Sequence, residues 1–282
     1  MESSITVRQS SKDVSRHEPA KTLEVHMKKA ILIVSVGTSR VEALENTTLQ
    51  FQKDVMEQFP EYGCYVAFSS RHILNKMNGN SEQTYMGVAE AFEQMLSDGV
   101  EEVTIQSTNL LNGLESDSML EQIECYKTKF KEVRTGRPLL NVKEDYISTL
   151  QVILENVSLQ EEEALVLVGH GTNHLSGSAY QNLEYTAYTT GHRNVFVGTV
   201  EGGKSQVMTL RKLSVSGFKK VRLMPLLFVA GYHALKDVAA DGHSWKSVLE
   251  EAGYEVRPEL IGLGELQGIR QIFVEHLKAT MG

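Results

Sequence analysis

The sequence lacks most features that would tie it to a membrane, a nucleic acid or an oxidised scaffold. Its two cysteines, Cys64 and Cys125, are too few for a disulfide framework or a cysteine-rich zinc site, so a reducing compartment, the cytoplasm, is the expected location. No apolar stretch approaches the ~20 residues a membrane helix requires. The longest, Leu223 to Ala230, is strand-sized and contains Pro225. A net charge of −8 with no basic run argues against a nucleic-acid partner, whose phosphates need concentrated Lys and Arg. Neither G-x-G-x-x-G nor the Walker lysine accompanies the turn Ser35-Val36-Gly37-Thr38-Ser39, which disfavours a nucleotide or any other organic cofactor of that type. Ser35 also lacks the G-x-S-x-G elbow of a serine hydrolase.

What is present is an ordinary globular composition, 41% hydrophobic and 23% charged over 282 residues, enough length for two compact domains. Residues 1–26 stand apart: rich in Ser, Lys, Glu and Arg, with no apolar period and no signal-peptide core. They are read as a disordered extension, an expression remnant or a misassigned start, with Met27 as an alternative beginning.

From Lys28 onward strands and helices alternate. Apolar runs rich in β-branched residues predict strands at Ala30–Val36, Cys64–Phe68 and Val103–Ser107, then at Ala164–Val168, Val195–Val200, Val221–Phe228 and Tyr254–Ile261. Leu44, Thr48, Phe51, Val55 and Phe59 recur at helical spacing, as do Met86, Ala89, Phe92, Met95 and Leu96. Further helices are predicted over Ser118–Lys131, around Asp145–Val157, over Leu175–Thr190 and Gln206–Val215, near 235–252 and from Leu266 to Thr280. Apolar strands separated by helices make a parallel sheet covered on both faces. Two such rounds predict an α/β protein of two Rossmann-like domains, 27–145 and 146–282.

Parallel sheets bind ligands at the carboxyl ends of their strands. In the second round three such ends carry unusual residues: Gly169-His170-Gly171, Glu201-Gly202-Gly203, and Gly231-Tyr232-His233. In a doubly wound order 2-1-3 these tips are neighbours about 4.8 Å apart. Two imidazoles and a carboxylate form a nitrogen/oxygen set suited to a divalent first-row metal, so His170, Glu201 and His233 are the expected ligands. A lone histidine after a strand is more often a structural residue; it is the coincidence of three in one sheet that favours the metal reading. His174, four residues on, is assigned a supporting role, and His72, His192, His243 and His276 a place on the surface or a helix. Ser35, Gly37, Thr38, Arg40, Asn112, Gly113 and Lys204 are candidates to contact the substrate, with Arg71 and Lys236 as further cations near loop mouths.

These residues belong to a series of short stretches whose order and spacing are distinctive. They are Ser-Val-Gly-Thr-Ser (35–39), Gln-Ser followed by Leu-Leu-Asn-Gly-Leu-Glu (106–115), Val-Gly-His-Gly (168–171) and Val-Gly-Thr-Val-Glu (197–201). Leu-Met-Pro-Leu-Leu-Phe-Val-Ala-Gly-Tyr-His (223–233), Asp-Gly-His-Ser-Trp-Lys (241–246) and Gly-Leu-Gly-Glu (262–265) complete the series. From about Met27 to the C-terminus the chain resembles the anaerobic sirohydrochlorin cobaltochelatases of the CbiK type, within the chelatase group that includes ferrochelatases. The resemblance implies a chelatase-type fold with a tetrapyrrole cleft between two domains, and metal ligands at His170, Glu201 and His233. It also implies an acid, Glu115, on the opposite wall, and a proton-accepting role for His170. The chain departs from its relatives at Val36, often Phe, at Thr108-Asn109, often Leu-His, and at Leu114-Glu115, often an acidic pair; these changes bear on how the macrocycle edge is held.

The implied reaction inserts Co²⁺ into sirohydrochlorin with loss of two protons, in anaerobic cobalamin biosynthesis, with no organic cofactor and with a homo-oligomer expected. Fe²⁺ or Ni²⁺ as the inserted ion, and a non-catalytic tetrapyrrole or metal carrier, are the alternatives. A single imidazole nitrogen cannot hold the metal and take a proton together, so those two roles of His170 belong to different steps.

Overall fold

A computed structural model describes residues 28–81, 84–201, 204–240 and 242–282; residues 1–27, with the extension expected there, lie outside the described residues. So do the side chains of residues 114, 115, 204, 205, 233 and 234.

The chain forms two four-stranded sheets with every pairing parallel, ordered β2-β1-β3-β4 and β6-β5-β7-β8. The first holds β1 (Lys29–Ser35), β2 (Gly63–Phe68), β3 (Glu102–Ser107) and β4 (Glu132–Thr135); the second holds β5 (Glu163–Gly169), β6 (Val195–Thr199), β7 (Lys220–Pro225) and β8 (Glu255–Pro258). The two-domain α/β architecture with the 2-1-3 order is therefore present in both halves. The strand β4 and the helix α3 (Arg71–Gly79) are additions to the expected elements. Each is short and mostly polar, which is why neither has a strong apolar period.

Side-chain alternation explains how each sheet is covered on both faces. In β1, Ala30, Leu32 and Val34 point into one core with α4 (Val88–Ser97) and α5 (Leu114–Lys127). In β5, Ala164, Val166 and Val168 enter a matching core with α8 (Lys204–Ser216), α9 (Tyr232–Ala239) and α10 (Trp245–Glu251). The opposite residues, Ile31 and Ile33 of β1 and Leu165 and Leu167 of β5, enter one continuous core shared by both sheets. That shared layer is built from α2 (Gln50–Gln58), α6 (Lys143–Asn156), α7 (Ser178–Thr189) and α11 (Gln267–Met281).

The C-terminal helix α11 crosses back to pack on β3 and β4 of the first sheet. Phe273 on it meets Phe51 of α2 and Phe228 of the second half, with ring centroids 5.7 and 5.6 Å away. Full burial of each such ring contributes on the order of 1.5–3 kcal/mol. Nearby, Arg270 Nε donates to Asp54 Oδ2 at 2.5 Å, and its Nη1 donates to the carbonyls of Gly264 and Glu265. His276, expected on a helix or the surface, is helical but buried, facing Asp145 and the carbonyl of Arg137.

Some boundaries shift for local reasons. α5 begins at Leu114, four residues before the expected start, because extended Gly113 serves as its N-cap. The predicted helix over Leu175–Thr190 divides into a 3-10 turn (Leu175–Gly177) and α7. The helical stretch near 235–252 breaks where Ala240 turns extended and Ser244 caps α10 through Ser247 N–H. The strand expected to reach Phe228 ends at Pro225, and residues 226–231 form the loop to α9. Among the described residues no helix is long and apolar enough to cross a membrane.

Candidate active site

Register aligns the tips of the second sheet. Gly169 pairs with Thr199 and Val168 with Pro225, so β5 ends between β6 and β7. The backbone pairing continues past the strands: Glu201 N–H donates to His170 O at 2.8 Å, and Leu226 N–H to Val168 O at 2.7 Å. His170 and Glu201 are thereby brought to adjacent positions on one sheet edge, and His170 Nε2 lies 3.9 Å from Glu201 Oε1.

Gly171 is what lets these two loops meet. Its φ of +90° belongs to the left-handed region, and a Cβ there would lie 2.7 Å from Glu201 O. Any larger residue would push the His170 loop off the Glu201 loop. Thr199 Oγ1 then donates to Glu201 O at 2.7 Å and fixes the second loop from below.

The His170 ring is oriented as a metal ligand would be. Its Nδ1 lies 3.2 Å from Gly171 O, a carbonyl that only accepts, so a ring proton on Nδ1 is satisfied there and Nε2, 3.9 Å from Glu201 Oε1, is the nitrogen left for a metal. Both side chains are open to solvent, at 62% and 57% exposure. A tetrahedral ion with bonds of about 2.1 Å places two donors ~3.4 Å apart, so a small rotation of either side chain suffices for both to reach one ion.

The third expected ligand, His233, stands in the first turn of α9 after the N-cap Gly231; its side chain lies outside the described residues. The same holds for Glu115 in the first turn of α5 and Lys204 at the first position of α8. Among the described residues no three His, Cys, Asp or Glu side chains gather as a ligand set.

The substrate candidates of the first half have varied surroundings. Ser35 is buried and its hydroxyl accepts from Thr48 Oγ1 at 3.1 Å, with Thr48 lying in a π-helical turn (Glu45–Leu49) between α1 (Val41–Leu44) and α2. Gly37 has φ +94°, and Thr38 is buried with its Oγ1 accepting from Arg40 N–H. Arg40 Nη1 crosses to the second half and donates to Ala230 O at 3.1 Å. Asn112 is exposed and Gly113 buried. Arg71 opens α3 and Lys236 lies on α9, both exposed.

A second junction between the halves was not anticipated from the sequence. The His174 imidazole reaches across to Asp117 of α5, Nε2 to Oδ2 3.8 Å. A Cβ on Gly113 would come within 3.9 Å of both Ser176 Oγ and Thr172 Oγ1. No local motif links Asp117 to the loop after β5; only folding makes them neighbours. Arg40 to Ala230 and His174 to Asp117 are thus two contacts between the halves near the strand ends.

With this geometry in place, comparison with known proteins is informative. The sequence profile of the family described as cobalt chelatase (CbiK) matches residues 29–282. The chain is 33% identical over 257 residues to a sirohydrochlorin cobaltochelatase of Salmonella typhimurium, covering 90% of this chain and 97% of that protein. It is 31% identical over 259 residues to the sirohydrochlorin cobaltochelatase CbiKC of Nitratidesulfovibrio vulgaris, covering 90% and 91%. The fold is similar to that of SirB from Bacillus subtilis with Fe3+, at a TM-score of 0.66, 15% identity, and coverage of 90% of this chain and 96% of that one. It is also similar to CbiX, described as the terminal enzyme for siroheme biosynthesis in denitrifying bacteria, at a TM-score of 0.54 and 14% identity, covering 90% and 100%.

Proposed function

This chain belongs to the cobalt chelatase (CbiK) family, and on that premise we propose that it is a sirohydrochlorin cobaltochelatase, inserting Co²⁺ into sirohydrochlorin with release of two protons. Its place is then in anaerobic cobalamin biosynthesis. The single observation that carries the reading is the pairing of His170 and Glu201 at adjacent strand ends, with Nε2 of the one 3.9 Å from Oε1 of the other and both open to solvent.

In this reading the metal is a substrate, held by His170, Glu201 and His233 in an incompletely filled coordination sphere. Water fills the remaining positions until pyrrole nitrogens displace it. Imidazole and carboxylate bind divalent cobalt firmly enough to strip part of its hydration and loosely enough to surrender it to a macrocycle with four nitrogens. Glu115, in the first turn of α5 in the first half, is assigned to orient the macrocycle or relay a proton. Arg40 and Lys204 supply positive charge for the substrate's carboxylates, which an acidic protein must otherwise repel. A division at 27–145 and 146–282 would put the metal residues in the second unit and Glu115 in the first.

The test is an anaerobic absorption assay with sirohydrochlorin in excess over enzyme, comparing Co²⁺, Fe²⁺ and Ni²⁺. Many turnovers, fastest with Co²⁺, are expected. Faster Fe²⁺ or Ni²⁺ insertion would reassign the metal, and conversion that stops at one equivalent would identify a carrier.

A further inference from the structure

The peptide that joins His170 to Gly171 is held from two opposite sides. Among the described residues no peptide bond is cis, so its carbonyl and its N–H point away from each other. The His170 carbonyl accepts from Glu201 N–H at 2.8 Å. The Gly171 N–H donates to the Tyr180 hydroxyl at 3.3 Å. Tyr180 stands in the first turn of α7 and is buried in the core that the two sheets share. Its ring also lies against the bare Cα of Gly169, where a Cβ would come 2.2 Å from Tyr180 Cε1. One tyrosine thus meets the residue before His170 and the residue after it.

The hold matters because the turn has little stiffness of its own. Gly171 sits at φ +90°, and a glycine backbone moves in and out of that region at little cost. Rotation of the 170–171 peptide would carry off the Gly171 carbonyl, which lies 3.2 Å from His170 Nδ1. It would also part the His170 carbonyl from Glu201 N–H, the bond that sets the two side chains side by side. Glu201 fixes the peptide from the β6 side, and the Tyr180 hydroxyl closes it from the α7 side.

We propose that Tyr180 is a positioning residue for the metal site. Its hydroxyl holds the 170–171 peptide so that His170 Nε2 and the Glu201 carboxylate are set toward one ion before the ion arrives. The inference rests on the reading of His170 and Glu201 as metal ligands. Tyr180 is not itself a ligand: it acts through the backbone, and it links the shared core to the exposed edge where the ion binds. A site ordered in advance loses less freedom on binding, so the benefit appears as affinity for the metal.

The experiment titrates Co²⁺ alone into the full chain, followed by visible absorption. Tyr180→Phe keeps the ring against Gly169 and removes only the hydroxyl. Its Kd for Co²⁺ should rise about 10-fold, as when a hydrogen bond supporting a metal ligand is lost. Tyr188→Phe, on the exposed side of the same helix, should leave the Kd unchanged. With sirohydrochlorin present, the KM for Co²⁺ should rise with the Kd while kcat at saturating Co²⁺ holds, the pattern of lost ground-state binding. A folded Tyr180→Phe with parent affinity for Co²⁺, whatever its thermal midpoint, overturns the assignment. Amide exchange in the parent gives a check that needs no variant: Gly171 N–H should be protected, and exchange at the rate of a free amide would overturn the proposal. A parent that binds no Co²⁺, or a His170→Ala variant that binds it as tightly as the parent, would remove the metal reading and the proposal with it. A parent that binds Co²⁺ through His170, with Tyr180→Phe unchanged, removes the proposal alone, so the two failures are distinguishable.

Discussion

The two halves of this molecule share a strand order and differ in what they place at their strand ends. In the first half the tips of β1 and β3 carry Ser35, Thr38, Ser107 and Thr108, all buried. Three of these hydroxyls are held by nearby groups: Ser35 by Thr48, Thr38 by Arg40 N–H, and Ser107 by Asn109 N–H. In the second half the tips of β5 and β6 carry His170 and Glu201, more than half exposed. One fold thus serves two ends: a closed wall whose polar groups satisfy each other, and an open edge whose donors are left for a ligand. The chemistry differs because the residues after the strands differ, while both sheets keep the same strand order.

The sharpest way to break this contrast is at His170. His170→Ala should abolish cobalt insertion, a loss of at least about 1,000-fold, as expected when a ligand of a reacting metal is removed. The thermal midpoint should move little, because the side chain is exposed. Near-parent turnover would dismiss the metal assignment.

Next in size is the tie between the halves. Arg270 is buried, pairs with Asp54 and donates to two carbonyls. Arg270→Ala leaves these acceptors unpaired and should cost about 3–5 kcal/mol in urea unfolding. A cost below 1 kcal/mol (of the order of an exposed ion pair) would show that the halves are held together by the shared apolar core alone.

Gly171 and Gly37 sharpen the comparison, since both tips contain a left-handed glycine. A Cβ on Gly171 would meet backbone, Glu201 O at 2.7 Å, whereas on Gly37 it would meet the Phe68 and Met77 side chains at 3.0 and 3.2 Å. Gly171→Ala should therefore cost roughly 1–3 kcal/mol in stability and weaken Co²⁺ binding, detectable by titration. Gly37→Ala should cost a similar amount with Co²⁺ binding intact. Equal Co²⁺ affinities in the two variants would contradict the role given to the Gly171 turn.

The smallest effect concerns pH. Burial holds the His276 imidazole below its ordinary 6.5, against the pull of Asp145. Burial pushes the Asp145 carboxyl up, but hydrogen bonds from Arg137, His276 and Val142 N–H outweigh it and the net shift is downward. Between the folded and unfolded values of either group the unfolded chain binds more protons, so stability is full above the unfolded pKa and is lost as pH falls. For His276 that loss begins below 6.5 and cannot exceed about 1.4 kcal/mol per pH unit. A thermal midpoint that falls on acidification in the parent, and less steeply in His276→Gln, is expected; identical slopes would show that His276 does not titrate on unfolding.

Much of this was legible in the sequence for identifiable reasons. Alternating apolar strands and amphipathic helices fix the parallel architecture, because only buried strands can be apolar on both faces. Gly169-His170-Gly171 and Glu201 were recognisable because polar residues immediately after apolar strands fall on the ligand edge of a parallel sheet. His174 could be noticed but its partner could not, since Asp117 lies far upstream in the other half and is one of many acidic helix residues. His276 looked superficial for the same reason: a histidine on an amphipathic helix is buried only if a distant carboxylate receives it.

The sequence by itself determined the element order, the two-round plan and the types of residue at the strand ends, because these follow from local periodicity and from the chemistry of each side chain. Tertiary structure decided what those residues face. It brought His170 beside Glu201 and His174 beside Asp117, residues far apart in the chain. It also brought α11 back across the first sheet, because the inner faces of both sheets could be buried only in one shared core.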